Sequence, residues 1–556
     1  MQRLELTWIG KGEEPAVEPR ILLHDSSKDY GDPNTENMLI HGDNLLALKA
    51  LEQQYAGQVK CIYIDPPYNT GEAFEYYDDN LEHSIWLGLM KARLEILYNL
   101  LADDGFFCCQ IDDSEGHYLK VMLDEIFGRN GYYQSTIYVR VRYPEKTLKQ
   151  DMSFHKEIEQ VHIYRKTPAA KPKLDRVEAG YEKFKYKIRT TASPDKILEL
   201  GGKKVEVFYK GNYEIIEEEG SEYGLKEIWA SGTILDGNSS GRFFRDYLAG
   251  RYEDDGYGVI YKVYGIGDDR YDYRFFTGPN REGATKGKYY QGVPLEKIQS
   301  GEMTREVPIS GFLDLAANFG NCRHEGGSEF RGGKKPEILI YTLLKHFSNP
   351  GDLVLDSFLG SGTTAAVAHK MGRRYIGIEL GEHCYTLCKP RLDRVIDGEQ
   401  TGISKEVDWQ GGGGYKFYEL APSLIEKDKY GNPIISSQYN SNMLIAAVAK
   451  LNGYSYAPDP DIFWKQGYSQ DKSYIYVTTN YLDSKMLDSI AAELGGMESL
   501  LVCTTAFDIG LDKRYDNIQV KKIPQSVLDK CEYGVDNYNL NVVEIPIIDE
   551  EEWEDD

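Results

Sequence analysis

No stretch of this chain reaches the roughly 18 consecutive apolar residues that a bilayer-spanning helix needs, so no membrane association is expected. The opening MQRLELTWIGKGEEP has no signal-peptide pattern, and a cytoplasmic protein is the expectation. Cysteine is sparse, eight in 556 residues, and no two stand as CxxC, which argues against a disulfide framework or a zinc ribbon; no metal site is expected. Positive charge is also short: 64 Lys and Arg face 89 Asp and Glu, for a net charge of -25. That is the wrong sign for a surface that must hold a polyanion. The deficit is uneven, because residues 140–210 hold 18 basic against 10 acidic side chains while 401–556 hold 13 against 26. A polyanion would therefore meet the central region and avoid the acidic C-terminal one. The length allows about three domains.

Two short motifs stand out. DPPYNTG (65–71) follows VKCIYI (59–64), a continuous apolar run suited to a strand buried on both faces and stopped by two prolines. DSFLGSGTT (356–364) follows DLVLD and opens a helix near Thr363, which places a glycine loop at a strand's carboxyl end. Between residues 36 and 166 strand and helix patterns alternate, arguing an α/β, doubly wound, mostly parallel sheet; the clearest helix is 83–102, closed by Asp-Asp-Gly. QVHIYRK (160–166) reads as the last strand of this half. From 167 to about 304 short segments rich in Tyr, Gly and Lys predict an irregular inserted domain, after which KPEILIYTLLKHF and DLVLD resume the regular pattern. In such a sheet ligands bind at the carboxyl ends of strands, where Asp43, Asp65, Asp356 and Glu379 would converge. Gly360 and Gly362 would let backbone approach a ligand with no Cβ in the way.

A strand-borne D-P-P-Y with an F-x-G-x-G resembles the S-adenosylmethionine-dependent amino-methyltransferases that act on DNA bases. With DPPY upstream, the order is similar to that of their β group, which includes the modification (Mod) subunits of type III restriction systems. GGKKPEIL (332–339), MLIHGDNLLAL (38–48) and RRYIGIEL (373–380) resemble three further family elements, and the likeness is strong over 36–165 and 325–395. It implies a circularly permuted methyltransferase fold: a leader (1–35), a catalytic half (36–166), an inserted target-recognition domain (167–310), a cofactor-binding half (311–400) and a C-terminal α/β module with an acidic tail (401–556).

The resemblance implies S-adenosylmethionine as cofactor, held by Asp43, Asn44, Asp65, Lys335, Asp356, Phe358, Gly360, Ser361, Gly362, Thr363, Thr364 and Glu379. Glu379 would take the ribose hydroxyls and Asp43 the adenine end. The catalytic set would be Asp65, Pro66, Pro67 and Tyr68. An exocyclic amine is a poor nucleophile because its lone pair is delocalised, so the Asp65 carboxylate and Pro66 carbonyl would accept from its N–H groups while Tyr68 stacks on a flipped base. No Pro-Cys dipeptide of the ring-carbon cytosine enzymes is present. Asp at position 65 favours adenine N6; cytosine N4 is the alternative, and a recognition subunit with weak catalysis another.

The insert interleaves aromatic and basic residues, and Arg140, Arg142, Lys146, Arg242, Arg245 and Lys286 are candidates for double-stranded DNA. The C-terminal module reads as a docking element for a helicase or nuclease subunit or for a second copy in a homodimer. EEEWEDD reads as a disordered tail.

Overall fold

The computed structural model describes residues 5–12, 17–18, 20–69, 83–128, 131–144, 154–178, 180–230, 239–284, 286–300, 304–327, 333–469 and 472–523. The chain divides into two compact units, residues 1–173 with 310–556, and residues 174–309. Among the described residues no helix is long and apolar enough to cross a membrane.

The first unit is built on an eleven-stranded sheet. Ten of its strands form one path, and in chain order they are β1 Leu22–His24, β2 Met38–His41, β3 Val59–Ile64, β4 Leu101–Ile111, β5 Tyr133–Arg140, β6 Ile158–Arg165, β7 Phe312–Asp314, β8 Leu353–Asp356, β9 Arg374–Glu379 and β10 Gly414–Leu420. In space they run β1-β10-β2-β9-β8-β3-β4-β6-β5-β7. From β10 through β4 every pairing is parallel. β6 is antiparallel to both neighbours. Strands from before and after the second unit therefore interleave, and β3 pairs directly with β8 at the centre.

Three helices, α1 Asn44–Tyr55, α2 His83–Leu100 and α3 Gly116–Phe127, supply the apolar cluster that packs with Ile62, Ile64, Phe107 and Cys109 on one face. The alternate strand residues face the other way, where Phe106 meets Phe347 of α4 Glu337–Phe347 with ring centroids 4.7 Å apart. Burial on both sides accounts for the unbroken apolar runs of β3 and β4. The glycine loop leads from β8 into α5 Thr363–Lys370, and α6 Lys389–Ile396 follows β9.

Several expectations shift. α2 stops at Leu100, and β4 begins at once with Leu101, so Asp103, Asp104 and Gly105 belong to a strand and do not close a helix. QVHIYRK does form β6, the last strand in chain order before the second unit, and β5 lies outside it in the sheet. Residues 1–35 contribute β1, and 401–556 contribute β10, which lies against β2; both extend the large sheet instead of standing apart from it. The second unit is more regular than its composition implied, with a six-stranded antiparallel sheet over a core of Val205, Val207, Phe243, Phe244, Leu248 and Phe276. Lys146 and the tail after Ile523 lie outside the described residues.

Beyond β10 a five-stranded sheet carries the helix Ser441–Leu451 on a cluster that includes Leu444, Val448, Ile475 and Leu501. Ile21 and Ala421 enter the same cluster, so this module and the large sheet share a packed seam. Lys450 reaches across it to donate to the Ala50 carbonyl. Burial pulls its ammonium down to about 8, and no carboxylate among the described residues offsets that. Because the folded value is depressed, the unfolded chain binds more protons between pH 8 and 10.5, and stability should rise across that window. Lys450→Met should be more stable than the parent by about 1–2 kcal/mol at pH 7, with the gain shrinking by pH 10, read by urea denaturation at both pH values.

Candidate active site

The carboxyl edge of the parallel strands gathers the functional side chains. Proline fixes φ and offers no N–H, so Pro66 and Pro67 end β3 and turn the chain across the sheet's edge. The indole of Trp86 on α2 donates to the Pro67 carbonyl at 2.9 Å and pins the turn from outside. Among the described residues none donates to the Pro66 carbonyl.

Asp65 lies inside a cluster that the motif alone does not reveal. The Tyr68 hydroxyl lies 2.7 Å from Asp65 Oδ1 and 2.8 Å from Glu159 Oε2. Lys335 Nζ lies 3.1 Å from Asp65 and 3.4 Å from Glu159, and 4.9 Å from the centre of the Tyr68 ring. Gln110 also donates to Glu159 and accepts from Tyr63 at 2.5 Å. Glu159 reaches this edge because β6 runs antiparallel, which brings its amino end beside the carboxyl ends of the others. Burial raises the Asp65 carboxyl above its ordinary value and Glu159 adds to this, while the Lys335 ammonium opposes both. The Lys335 ammonium, for its part, is held up by the two carboxylates against the burial that would lower it.

Around the glycine loop the contacts are equally specific. Asp356 ends β8, accepts from the Phe358 N–H at 2.9 Å, and is pushed up to about 7 by burial, against the hydrogen bonds from Thr364 and Phe358. Gly360 and Gly362 hold φ of 56° and 81°, the left-handed region that glycine adopts without strain. Glu379 at the end of β9 accepts from the backbone N–H of Gly360 at 2.6 Å and of Leu380 at 2.9 Å. Burial would raise its carboxyl, but His383 and the Gly381 and Gly360 amides outweigh that and hold it low. Beneath the loop Arg391 donates to Thr363 Oγ1 at 2.7 Å and to the Ser361 carbonyl at 3.3 Å. Its other nitrogen meets Glu337 at 2.8 Å, and Lys370 reaches the same carboxylate at 2.8 Å. All three are buried.

Asp43 and Asn44, expected at the cofactor, are occupied structurally. Asp43 caps α1 through the Leu46 N–H at 3.0 Å and lies 3.4 Å from the buried Arg93. Asn44 accepts from Arg93 at 2.5 Å and donates to the Ser357 carbonyl at 2.8 Å, tying the first turn of α1 to the end of β8. Of the DNA candidates, Arg140 pairs with Glu157 and Asp314, at 3.4 and 3.2 Å, and Arg142 donates to the Lys156 carbonyl at 2.7 Å. In the second unit Arg245 pairs with Asp246 at 2.7 Å, while Arg242 and Lys286 are exposed.

The site fits a cationic, nucleoside-bearing ligand. Asp65, Asp356 and Glu379 make the strand ends electronegative, the glycine loop leaves room for close backbone approach, and the buried Ser357 hydroxyl has no hydrogen-bond partner among the described residues. Glu159, Gln110, Trp86 and Arg391 belong to no motif; for Glu159 and Gln110 the only sequence signal was a polar residue within a largely apolar strand, while Glu337 lies inside GGKKPEIL, where no role was read for it.

A family model described as DNA methylase (N6_N4_Mtase) matches residues 59–390. The probable type III restriction-modification enzyme HindVI Mod subunit of Haemophilus influenzae is 35% identical over 422 residues, 70% of this chain and 54% of that protein. The StyLTI Mod subunit of Salmonella typhimurium is 27% identical over 387 residues, 64% of this chain and 52% of that one. The chain thus spans about half the length of these curated relatives. Among solved structures, the cytosine-N4-specific PvuII DNA methyltransferase matches at 14% identity and a TM-score of 0.33, covering 67% of this chain and 91% of that one. A likeness that distant bears no weight.

With a folded value near 7 against an ordinary 3.8, Asp356 costs stability that grows as pH rises from about 4 to 7. Asp356→Asn should therefore gain stability over the parent at pH 8, with the difference fading toward pH 5 in denaturant titrations. An equal effect at both pH values would show that the carboxylate's charge is not the cause.

Proposed function

This chain belongs to the DNA methylase family, and from that premise we propose that it transfers the methyl group of S-adenosylmethionine to the N6 amine of an adenine flipped out of double-stranded DNA, at one short sequence. The observation that carries the reading is the convergence of the DPPY turn and the glycine loop at the adjoining ends of β3 and β8. The Asp at position 65 supports adenine over cytosine.

When bound, the cofactor supplies an electrophilic methyl group on a cationic sulfur. The rest is done by the chain. The Phe358–Gly362 backbone and Glu379 receive the nucleoside, and the acidic strand ends favour the positive charge of the donor. Asp65 and the Pro66 carbonyl accept from the two N–H groups of the amine, which leaves the nitrogen lone pair free to point at the methyl carbon. Once methylated the amine would carry one proton too many, and Asp65 is the base within reach to take it. Its burial raises its proton affinity, while the Lys335 ammonium opposes its protonation. Tyr68, its hydroxyl held by two carboxylates, presents a fixed ring for stacking.

In this reading the order in which the strands are written, with β8 and β9 late in the chain yet central in the sheet, supports a circular permutation, and the unit 174–309 is the target-recognition region. The Mod names of the relatives support a place in a restriction-modification system, with a helicase or nuclease subunit as partner. A homodimer follows from the same resemblance.

DNA from a host expressing the chain should carry N6-methyladenine at one motif in modification-sensitive sequencing, and the mark should vanish with Asp65→Ala. Absence of any mark, despite S-adenosylmethionine binding by the purified protein, would overturn the reading. Lys335→Met removes the charge that opposes Asp65 protonation. Its rate should fall at least about tenfold near neutral pH, and the acidic limb of its rate profile should move upward.

A further inference from the structure

Beside the catalytic turn lies a buried acid to which the mechanism above gives no task. Glu115 precedes α3, just beyond the end of β4, and its side chain is fully buried. One oxygen takes two hydrogen bonds, from Asn69 Nδ2 at 2.7 Å and with His83 Nδ1 at 2.6 Å. The other, Oε2, is buried with no hydrogen-bond partner among the described residues. A carboxylate taken out of water and left half satisfied is a cost to the fold, and such costs persist where geometry is needed. Asn69, which follows Tyr68 directly, has φ of 59°, one of three positive values outside glycine among the described residues. Asn tolerates that region better than other side chains, but it has no reason to remain there unless something holds it.

Resting on the methyltransferase reading, we propose that Glu115 and Asn69 are positioning residues that lock the DPPY turn in its reactive shape. The turn is held at two points on either side of the reacting groups. Trp86 takes the Pro67 carbonyl and Glu115 takes the Asn69 amide, while Asp65 and Tyr68 are aimed inward between them. Releasing the second point lets Tyr68 and the Asp65–Pro66 acceptors drift by a fraction of an ångström, enough to slow an in-line displacement. Neither residue touches the glycine loop, so cofactor affinity should not change.

The test is a double-mutant cycle on the full chain, with tritiated S-adenosylmethionine and the genomic DNA of an unmodified host. Glu115→Ala and Asn69→Ala should each lower kcat about tenfold, with S-adenosylmethionine Kd within about twofold of the parent. The double variant should be no slower than Glu115→Ala, because that substitution already removes the contact through which Asn69 acts. Glu115→Gln keeps an acceptor for Asn69 and should retain most of the rate; it also serves if the alanine variant does not fold. Effects that multiply in the double variant, a kcat unchanged by either substitution, or a Glu115→Gln as slow as alanine would each refute the inference. A parent chain that binds the cofactor but methylates no DNA removes the function and this inference together, whereas an active parent with indifferent variants removes only the inference.

Discussion

One ammonium group makes the rest of this site possible. Asp65, Glu159, Asp356 and Glu379 are drawn to the same edge of one sheet, and neighbouring carboxyl groups taken out of water need a cation among them. Lys335 lies between Asp65 and Glu159 and satisfies both. It is held there from behind: its own carbonyl accepts from Thr363 at 3.2 Å, and two residues on, Glu337 grips Arg391, which in turn holds Ser361 and Thr363. A single tripeptide, Lys335-Pro336-Glu337, thus joins the support of the glycine loop to the charge balance of the catalytic turn.

Both halves of that arrangement were readable where sequence and local physics say the same thing. β3 and β8 announced themselves as apolar runs ended by Pro-Pro or Gly-x-Gly, because a doubly buried strand and a loop that bares its backbone each demand particular residues. The partners were not readable. Glu159 is one acid in a strand that begins IEQ, and it matters only because β6 runs antiparallel, a fact that periodicity does not encode. Lys335 belonged to a recognised motif, yet its contact with Asp65 spans most of the domain and could be learned only from the sheet order.

The misplaced boundaries share a cause. A helix followed by Asp-Asp-Gly reads as closed, but Asp103 and Asp104 are the exposed residues of a strand that is buried from Gly105 onward, and Leu101 already faces the core. Residues 401–556 read as a module of their own, yet Gly414 opens a strand whose far end pairs with His24 and Leu22. Asp43 and Asn44 stand at a strand end as expected, but the local demand to cap α1 and to pair a buried arginine claims their side chains. At the two boundaries tertiary contacts decided between readings that local pattern left equal.

The pairing of Cys61 with Val354 at the centre of the sheet also sets a schedule. A ribosome makes β3 long before β8 exists, so the inner edge of β3 waits with its amides and carbonyls unpaired while the whole second unit is synthesised. Neither stretch of the first unit can close its own core alone. The nascent chain must shelter that edge until residues 353–379 arrive, which makes this interval the point in the protein's life when it is most exposed to misassociation, and gives folding a late, long-range step on which everything at the site depends.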